Sequence, residues 1–122
     1  MRKKITSIIL ATLMTILYCI PASAGTTGYQ MKATAYCING TTATGTQTRV
    51  GVAASKREWF GKTVRVYADD GTGKSAELIG TYVIEDTGGK PIRSGKVIDI
   101  WMPTYDECIQ FGRRSVIVFV DD

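Results

Sequence analysis

The feature that most constrains the fold is a series of short β-branched stretches separated by glycine-rich or polar turns. In the stretch TVRVYA, Val64 and Val66 alternate with more polar residues, so that one face of the segment is apolar. Stretches of this length and spacing are typical of strands in a compact β-domain. The pattern therefore predicts a mainly β fold of about six strands. The stretches are YQMKATAY, RVGVAAS, KTVRVYA, AELIGTYVIED, KVIDIWM and RRSVIVFVD.

One helix is indicated near the C-terminus. Thr104 and Glu107 have the spacing of a capping box, Pro103 precedes them, and Gly112 suits the position after the last helical residue. The sequence therefore predicts one short helix here. Its apolar side chains are expected to face the sheet: Tyr105, Cys108, Ile109 and Phe111.

The first residues have the pattern of a secretory signal peptide. Three basic residues, Arg2 to Lys4, precede the apolar run SIILATLMTILYCI, and Ala22 to Ala24 provide the small residues of a cleavage site. A membrane anchor is the alternative, but the run is shorter than the roughly 20 apolar residues of a spanning helix. We expect residues 1–24 to be removed, leaving residues 25–122 as one exported domain without stable membrane insertion.

Charge and residue types exclude several classes of function. Without the three basic residues of the leader, the chain has 12 basic and 11 acidic residues and a net charge of +1. No basic stripe indicates a nucleic-acid partner. The chain has no histidine, which excludes Ser-His-Asp and Cys-His catalysis and makes a metal site unexpected. Acid–base chemistry must then come from carboxylates, lysine, tyrosine or cysteine.

The segment Gly71 to Ser75, GTGKS, resembles part of a phosphate-binding loop. The full pattern requires a further glycine upstream, where this chain has Ala68. We interpret the segment as a hairpin turn, and no nucleotide or other cofactor is expected.

Two cysteines, Cys37 and Cys108, lie outside the leader. In an exported chain an isolated pair usually forms a disulfide, which stabilises by about 3–4 kcal/mol when it closes a long loop. Two buried free thiols are the alternative. The residues alone favour the disulfide.

Two acidic residues differ from the others in their surroundings. Asp86 follows an apolar stretch and opens the loop Thr87-Gly88-Gly89, whose backbone amides can approach a ligand closely. Asp99 interrupts the apolar sequence Val-Ile-Asp-Ile-Trp. A carboxyl group among aliphatic side chains is poorly solvated, which raises its pKa and suits a general acid. The alternative is that Asp99 lies on the solvent-exposed face of an edge strand.

The order of these segments resembles the 3D domain, a family of exported bacterial proteins named for three aspartates. The most specific parts are Asp86-Thr-Gly-Gly, the segment from Ser94 to Ile100, and the Gly-Arg-Arg turn that begins at Gly112. The resemblance extends over residues 32–120. It implies a six-stranded double-psi β-barrel, related to stationary-phase muralytic proteins and to MltA-type lytic transglycosylases.

The resemblance also implies roles for the aspartates. The family's third aspartate, the catalytic acid and base, falls on Asp99. Its second falls on Asp86, which is expected to assist catalysis by raising the pKa of Asp99 through its charge or by holding the sugar through hydrogen bonds. Its first aspartate normally ends a Val-Ala-Val-Asp segment, but here the segment is Val-Ala-Ala-Ser and ends at Ser55. The chain therefore departs from the family pattern by one carboxylate.

The implied activity is that of a secreted, wall-associated lytic transglycosylase. Such an enzyme cuts the bond between N-acetylmuramic acid and N-acetylglucosamine in peptidoglycan glycan strands without water, leaving 1,6-anhydromuramic ends. A non-catalytic, expansin-like wall-binding module is the alternative. The sequence does not indicate the oligomeric state. The residues expected to bind substrate are Tyr36, Thr44, Ser55, Thr87, Gly88, Gly89 and Trp101.

Overall fold

The computed structural model describes residues 28–121. The predicted signal peptide, residues 1–24, lies outside the described residues. Within the described part of the chain, no helix is long and apolar enough to cross a membrane.

The described residues form six strands, two α-helices and one 3-10 turn at Arg57–Trp59. The prediction of a mainly β fold with six strands is confirmed. The strands are β1 (Gly28–Tyr36), β2 (Val52–Ala54), β3 (Thr63–Asp69), β4 (Ser75–Asp86), β5 (Val97–Trp101) and β6 (Arg114–Asp121). The helices are α1 (Lys90–Arg93) and α2 (Tyr105–Phe111).

The prediction of a single helix is wrong, because α1 precedes the predicted helix α2. Helix α1 has only four residues, with proline in its first turn and Gly95, at a φ of 84°, just beyond its end. A segment this short completes about one turn, so it carries no apolar periodicity that a sequence pattern reveals.

The strands hydrogen-bond in the order β1-β5-β2-β4-β3-β6, and β6 pairs back with β1 to close the sheet. Two of these pairs, β1 with β5 and β2 with β4, are parallel, and the other four are antiparallel. Parallel neighbours need a crossover connection, so most adjacent strands are distant in sequence. Only β3 and β4 form a pair linked by a short turn, the GTGKS segment that was predicted to be a hairpin turn.

Alternation along the strands separates an apolar interior from an outer face. Val64 and Val66 are fully buried, as the pattern of β3 predicted. In β5, Ile98 and Ile100 belong to the same core. Because successive side chains of a strand point to opposite faces, Asp99 between them lies on the outer face.

Helix α2 begins and ends where the sequence predicted. The Thr104 side chain accepts a hydrogen bond from the Glu107 backbone N–H at 3.2 Å, and Glu107 Oε2 accepts one from the Thr104 N–H at 3.1 Å. At the other end, the Gly112 N–H donates to the Cys108 carbonyl at 3.0 Å. Phe111 is buried and packs into the core.

The expectation that all four apolar residues of α2 face the sheet is wrong. Tyr105 and Ile109 are 69% and 61% exposed, whereas Cys108 is half-buried and Phe111 is buried. With about 3.6 residues per turn, residues four apart share one face, and Cys108 and Phe111 lie on another. Only the second face meets the core.

We predict that Thr104→Ala destabilises the protein by about 1 kcal/mol, because the first turn of α2 loses its side-chain acceptor. Thr104→Ser keeps a hydroxyl at the cap and should retain most of the stability. Chemical denaturation of both variants measures the difference. Equal stability of the alanine variant and the wild type would contradict a stabilising role for the cap.

Candidate active site

A cleft of about 220 Å³ opens on the outer face, at the ends of β1 and β4. Both aspartates that the sequence selected lie in it. The loop of residues 37–51, which we call the wall loop, forms one wall of the cleft. The segment from Asp86 through α1 forms another. The cleft is lined by Tyr36, Ile38, Gly40, Thr41, Thr48, Ala54, Asp86, Thr87, Gly88, Ile92 and Asp99.

The short strand β2 sets the spacing of the two aspartates. Ala54 pairs with Asp86 on one side and with Asp99 on the other. Neighbouring strands are about 4.8 Å apart, so the two aspartate backbones lie roughly 10 Å from one another. The small side chain of Ala54 leaves space between the two carboxyl groups.

The carboxylate of Asp86 is held by three donors. Its Oδ2 accepts from the Tyr36 hydroxyl at 3.0 Å, and its Oδ1 accepts from the Ala43 and Thr87 N–H groups, each at 3.0 Å. These bonds join the end of β1, the wall loop and the glycine-rich loop to one side chain. Burial raises the pKa of Tyr36, and the negative charge of Asp86 and its hydrogen bond with Tyr36 raise it further. The Tyr36 hydroxyl therefore keeps its proton and acts as the donor.

Asp99 is half-buried and accepts one hydrogen bond, from Thr34 Oγ1 to Oδ1 at 2.8 Å. Its pKa is raised chiefly by burial and further by the charge of Asp86, while the bond from Thr34 lowers it. Burial has the largest effect, so Asp99 keeps its proton to a higher pH than an exposed aspartate does. A carboxyl group that is protonated in a cleft can act as a general acid.

The edge-strand interpretation of Asp99 is wrong. Strand β5 pairs with β1 on one side and with β2 on the other. The side chain therefore occupies the middle of a closed sheet, between Thr34 and Ala54, and its partial burial comes from both neighbours.

The wall loop is fastened to the end of β4 by Glu85 as well as Asp86. Glu85 accepts from Thr46 Oγ1 at 2.6 Å and forms two hydrogen bonds with Arg49, at 2.8 and 3.0 Å. The hydrogen bonds of Arg49, then that of Thr46, lower the pKa of Glu85. Two consecutive acidic residues thus hold the loop in place.

Of the residues expected to bind substrate, Tyr36, Thr87 and Gly88 line the cleft. Thr44 and Gly89 are exposed and do not line it.

Ser55 and Trp101 do not line the cleft either. Ser55 is fully buried, and its Oγ has no hydrogen-bond partner among the described residues. Its backbone N–H donates to the Asp86 carbonyl at 3.0 Å. Trp101 is 8% exposed, and its indole N–H donates to the Ile38 carbonyl at 2.9 Å, which fixes the start of the wall loop. Both residues are buried in this structure and hold segments that line the cleft, and their contact with substrate stays a prediction.

Sequence reasoning missed Thr34, Glu85 and Arg49. Thr34 precedes Tyr36 by two residues in a strand, so it shares the face of Tyr36, and that alternation was a usable signal. Glu85 and Arg49 are 36 residues apart, and no local pattern joins them.

Cys37 and Cys108 are both free thiols, and both are half-buried. Loss of water contact, then the proximity of Cys37 and its hydrogen bond, raises the pKa of the Cys108 thiol. The disulfide stays a prediction.

We predict that the folded protein loses both thiols in an oxidising glutathione buffer and gains up to about 4 kcal/mol in the free energy of unfolding. A thiol titration under denaturing, non-reducing conditions measures the first effect and denaturation the second. Cys37→Ser is the control and should show no gain on oxidation. Two titratable thiols in the oxidised wild type would refute the pairing.

We predict that Asp99→Asn raises thermal stability near pH 7 but changes it little near pH 3. Because folding raises the pKa of Asp99, the free energy of unfolding falls as the pH rises from the ordinary pKa of this group to its pKa in the folded state. Below the ordinary aspartate pKa of about 3.9, the carboxyl group is neutral in both states and the penalty vanishes. Each kcal/mol gained in the free energy of unfolding raises the Tm of a domain of this size by about 4–8 °C.

Differential scanning calorimetry of wild type and variant at both pH values measures this difference. Glu77→Gln, at an exposed position of β4, is the control. A gain that is the same at both pH values would show that ionisation of Asp99 is not its cause.

The similarity of this chain to known proteins is one of fold. No family model matches the chain. A search of curated proteins found no significant match. Among solved structures, the chain is similar to a Streptomyces papain inhibitor, with a TM-score of 0.54 and 16% identity over 79% of this chain and 96% of that one. At this identity, the similarity shows a shared fold.

Proposed function

We propose that this chain is an exported lytic transglycosylase of the 3D domain family, which cuts peptidoglycan glycan strands and leaves 1,6-anhydromuramic ends. One observation carries the proposal: Asp99, with a raised pKa, lies half-buried in the same cleft as Asp86. The site offers one proton carrier and one carboxylate of fixed orientation.

The strand pairing supports the fold that the proposal requires. A closed order of six strands with two parallel pairs, β1–β5 and β2–β4, is what a double-psi β-barrel needs. The family resemblance assigns the catalytic role to Asp99, and this residue lies in β5.

The lining of the cleft suits a sugar. Ile38 and Ile92 offer apolar surface, while Thr41 and Thr48 carry hydroxyl groups. A pyranose ring has apolar faces and a rim of hydroxyl groups, so it meets both kinds of surface at once. The backbone at Gly88 allows a close approach on the side of Asp86.

In the proposed reaction, neutral Asp99 gives its proton to the glycosidic oxygen as the bond from that oxygen to C1 of the muramic acid breaks. The resulting carboxylate then takes the proton of the muramic acid 6-hydroxyl as that oxygen bonds to C1. Water is not consumed, and Asp99 ends neutral, as it began. One carboxyl group with a raised pKa serves as acid and then as base.

Asp86 contributes a charge and a scaffold. A carboxylate near the reacting carbon favours the positive charge that develops at C1 when the glycosidic bond breaks. Its bonds from the Tyr36 hydroxyl and from the Ala43 N–H tie Asp86 to the end of β1 and to the loop of residues 37–51.

A second candidate is a wall-binding module without catalysis. It is favoured by Ser55, which stands where the family has its first aspartate, is fully buried and offers no carboxylate to the cleft. The two candidates predict the same binding partner and differ in the product.

We predict that the protein releases fragments with 1,6-anhydromuramic ends from purified peptidoglycan, and that Asp99→Asn lowers the rate by about 10²–10⁴. Mass spectrometry of the digest identifies the ends by their loss of one water relative to hydrolysed ends. Asp106→Asn should digest at the wild-type rate.

Failure to form anhydro ends, with the protein still sedimenting with the wall, would favour the binding module. Unchanged product formation by Asp99→Asn would remove Asp99 from the mechanism and leave the enzyme activity standing.

A further inference from the structure

A second cavity, of about 290 Å³, lies beside β1 and shares no lining residue with the cleft. It brings together residues from four strands or their ends. The lining residues are Gln30, Met31, Lys32, Asp69, Lys96 and Ser115.

The cavity has an excess of positive charge that its own residues do not neutralise. Lys32 Nζ donates to the Ser115 hydroxyl at 2.6 Å, and neither Lys32 nor Lys96 forms an ion pair within residues 28–121. Asp69 also lines the cavity, where its Oδ1 accepts from the Gly71 and Gly73 N–H groups at 2.8 and 3.0 Å, so two lysines and one aspartate leave a net charge of +1. Two ammonium groups and a hydroxyl in a concave surface suit an anion.

The cavity and the cleft lie along the same face of β1. Lys32 pairs with Val97, and two residues further on Thr34 pairs with Asp99. Side chains two residues apart share a face and are roughly 7 Å apart, and Tyr36 lies about 13 Å from Lys32. A short substituent on a ligand bound at Asp99 is therefore long enough to reach Lys32 and Lys96.

We propose that this cavity binds a carboxylate of the stem peptide on the glycan strand whose sugars occupy the cleft. The inference rests on the proposed function, because it takes the occupant of the cleft to be wall glycan. Uncharged sugar rings suit the surface around the aspartates, whereas the peptide attached to muramic acid carries carboxylates. The protein thereby selects strands that still bear peptides and fixes the direction in which a strand lies.

A carboxylate is favoured over a phosphate by connectivity. The stem peptide is covalently attached to a sugar of the bound strand, a short distance from the lysines. A phosphate linked to the cleaved muramic acid through its 6-oxygen would block the attack of that oxygen on C1, which the proposed reaction requires.

The test measures binding, so that it does not depend on cleavage. Lys32→Gln/Lys96→Gln is compared with Arg57→Gln/Arg113→Gln, which removes the same charge from exposed positions outside both cavities. The probes are a peptide-bearing disaccharide fragment of peptidoglycan, the same fragment with its carboxylates amidated, and inorganic phosphate. Titration calorimetry at low ionic strength gives each Kd.

We expect the lysine variant to bind the native fragment about threefold to tenfold more weakly, with no change for the amidated fragment. Added salt should reduce the difference, because it screens exposed charges. The control variant should bind both fragments as the wild type does.

Equal binding of the native fragment by the lysine variant and the wild type would overturn the inference, as would an equal loss with the amidated fragment. Lysine-dependent binding of phosphate without lysine-dependent binding of the native fragment would assign the cavity to another anion and also overturn it. Lysine-dependent binding of the native fragment without anhydro products would support this inference while refuting the proposed reaction.

Discussion

The arrangement of the site depends on the pairing of one three-residue strand. Strand β2 is buried along its whole length and hydrogen-bonds to β4 on one side and to β5 on the other. The two strands that carry the aspartates do not pair with one another, and Ala54 fixes the interval between Asp86 and Asp99. Backbone hydrogen bonds of a closed sheet hold such an interval more rigidly than loops do, because each strand is restrained on both sides.

Burial then gives the two carboxyl groups different properties. Asp86 is surrounded by donors from three segments of chain, which leaves it little freedom to move. Asp99 receives one donor and is partly removed from water, so its protonated form is favoured. Two residues of the same type, two strand spacings apart, are suited to opposite tasks because one is hydrogen-bonded and the other is desolvated. The positive cavity beyond Thr34 extends this division of the outer face, with carboxyl groups at one end and ammonium groups at the other.

Local patterns predicted most of the architecture and the two aspartates. The alternation of Val64 and Val66 and the capping box at Thr104 are interactions between near neighbours in sequence, and both are present. The strand order, the fastening of the wall loop by Glu85 and Arg49, and the cavity at Lys32 and Lys96 join residues that lie far apart in the chain. No periodicity records such contacts, so the sequence offered no sign of them. Ser55 was expected to bind substrate because of its position in a motif. Its full burial depends on the packing around it, which the motif does not record.

The burial of Ser55 has a consequence for how this chain can change over evolutionary time. Its hydroxyl already lies in full burial without a hydrogen-bond partner among the described residues. An aspartate at this position would be larger, and ionised it would have neither water nor a donor around it, at a cost of several kcal/mol. Ser55→Asp alone would therefore lower the stability of the fold. The packing beneath the cleft admits two aspartates, and a third at this position requires the neighbouring residues to change first.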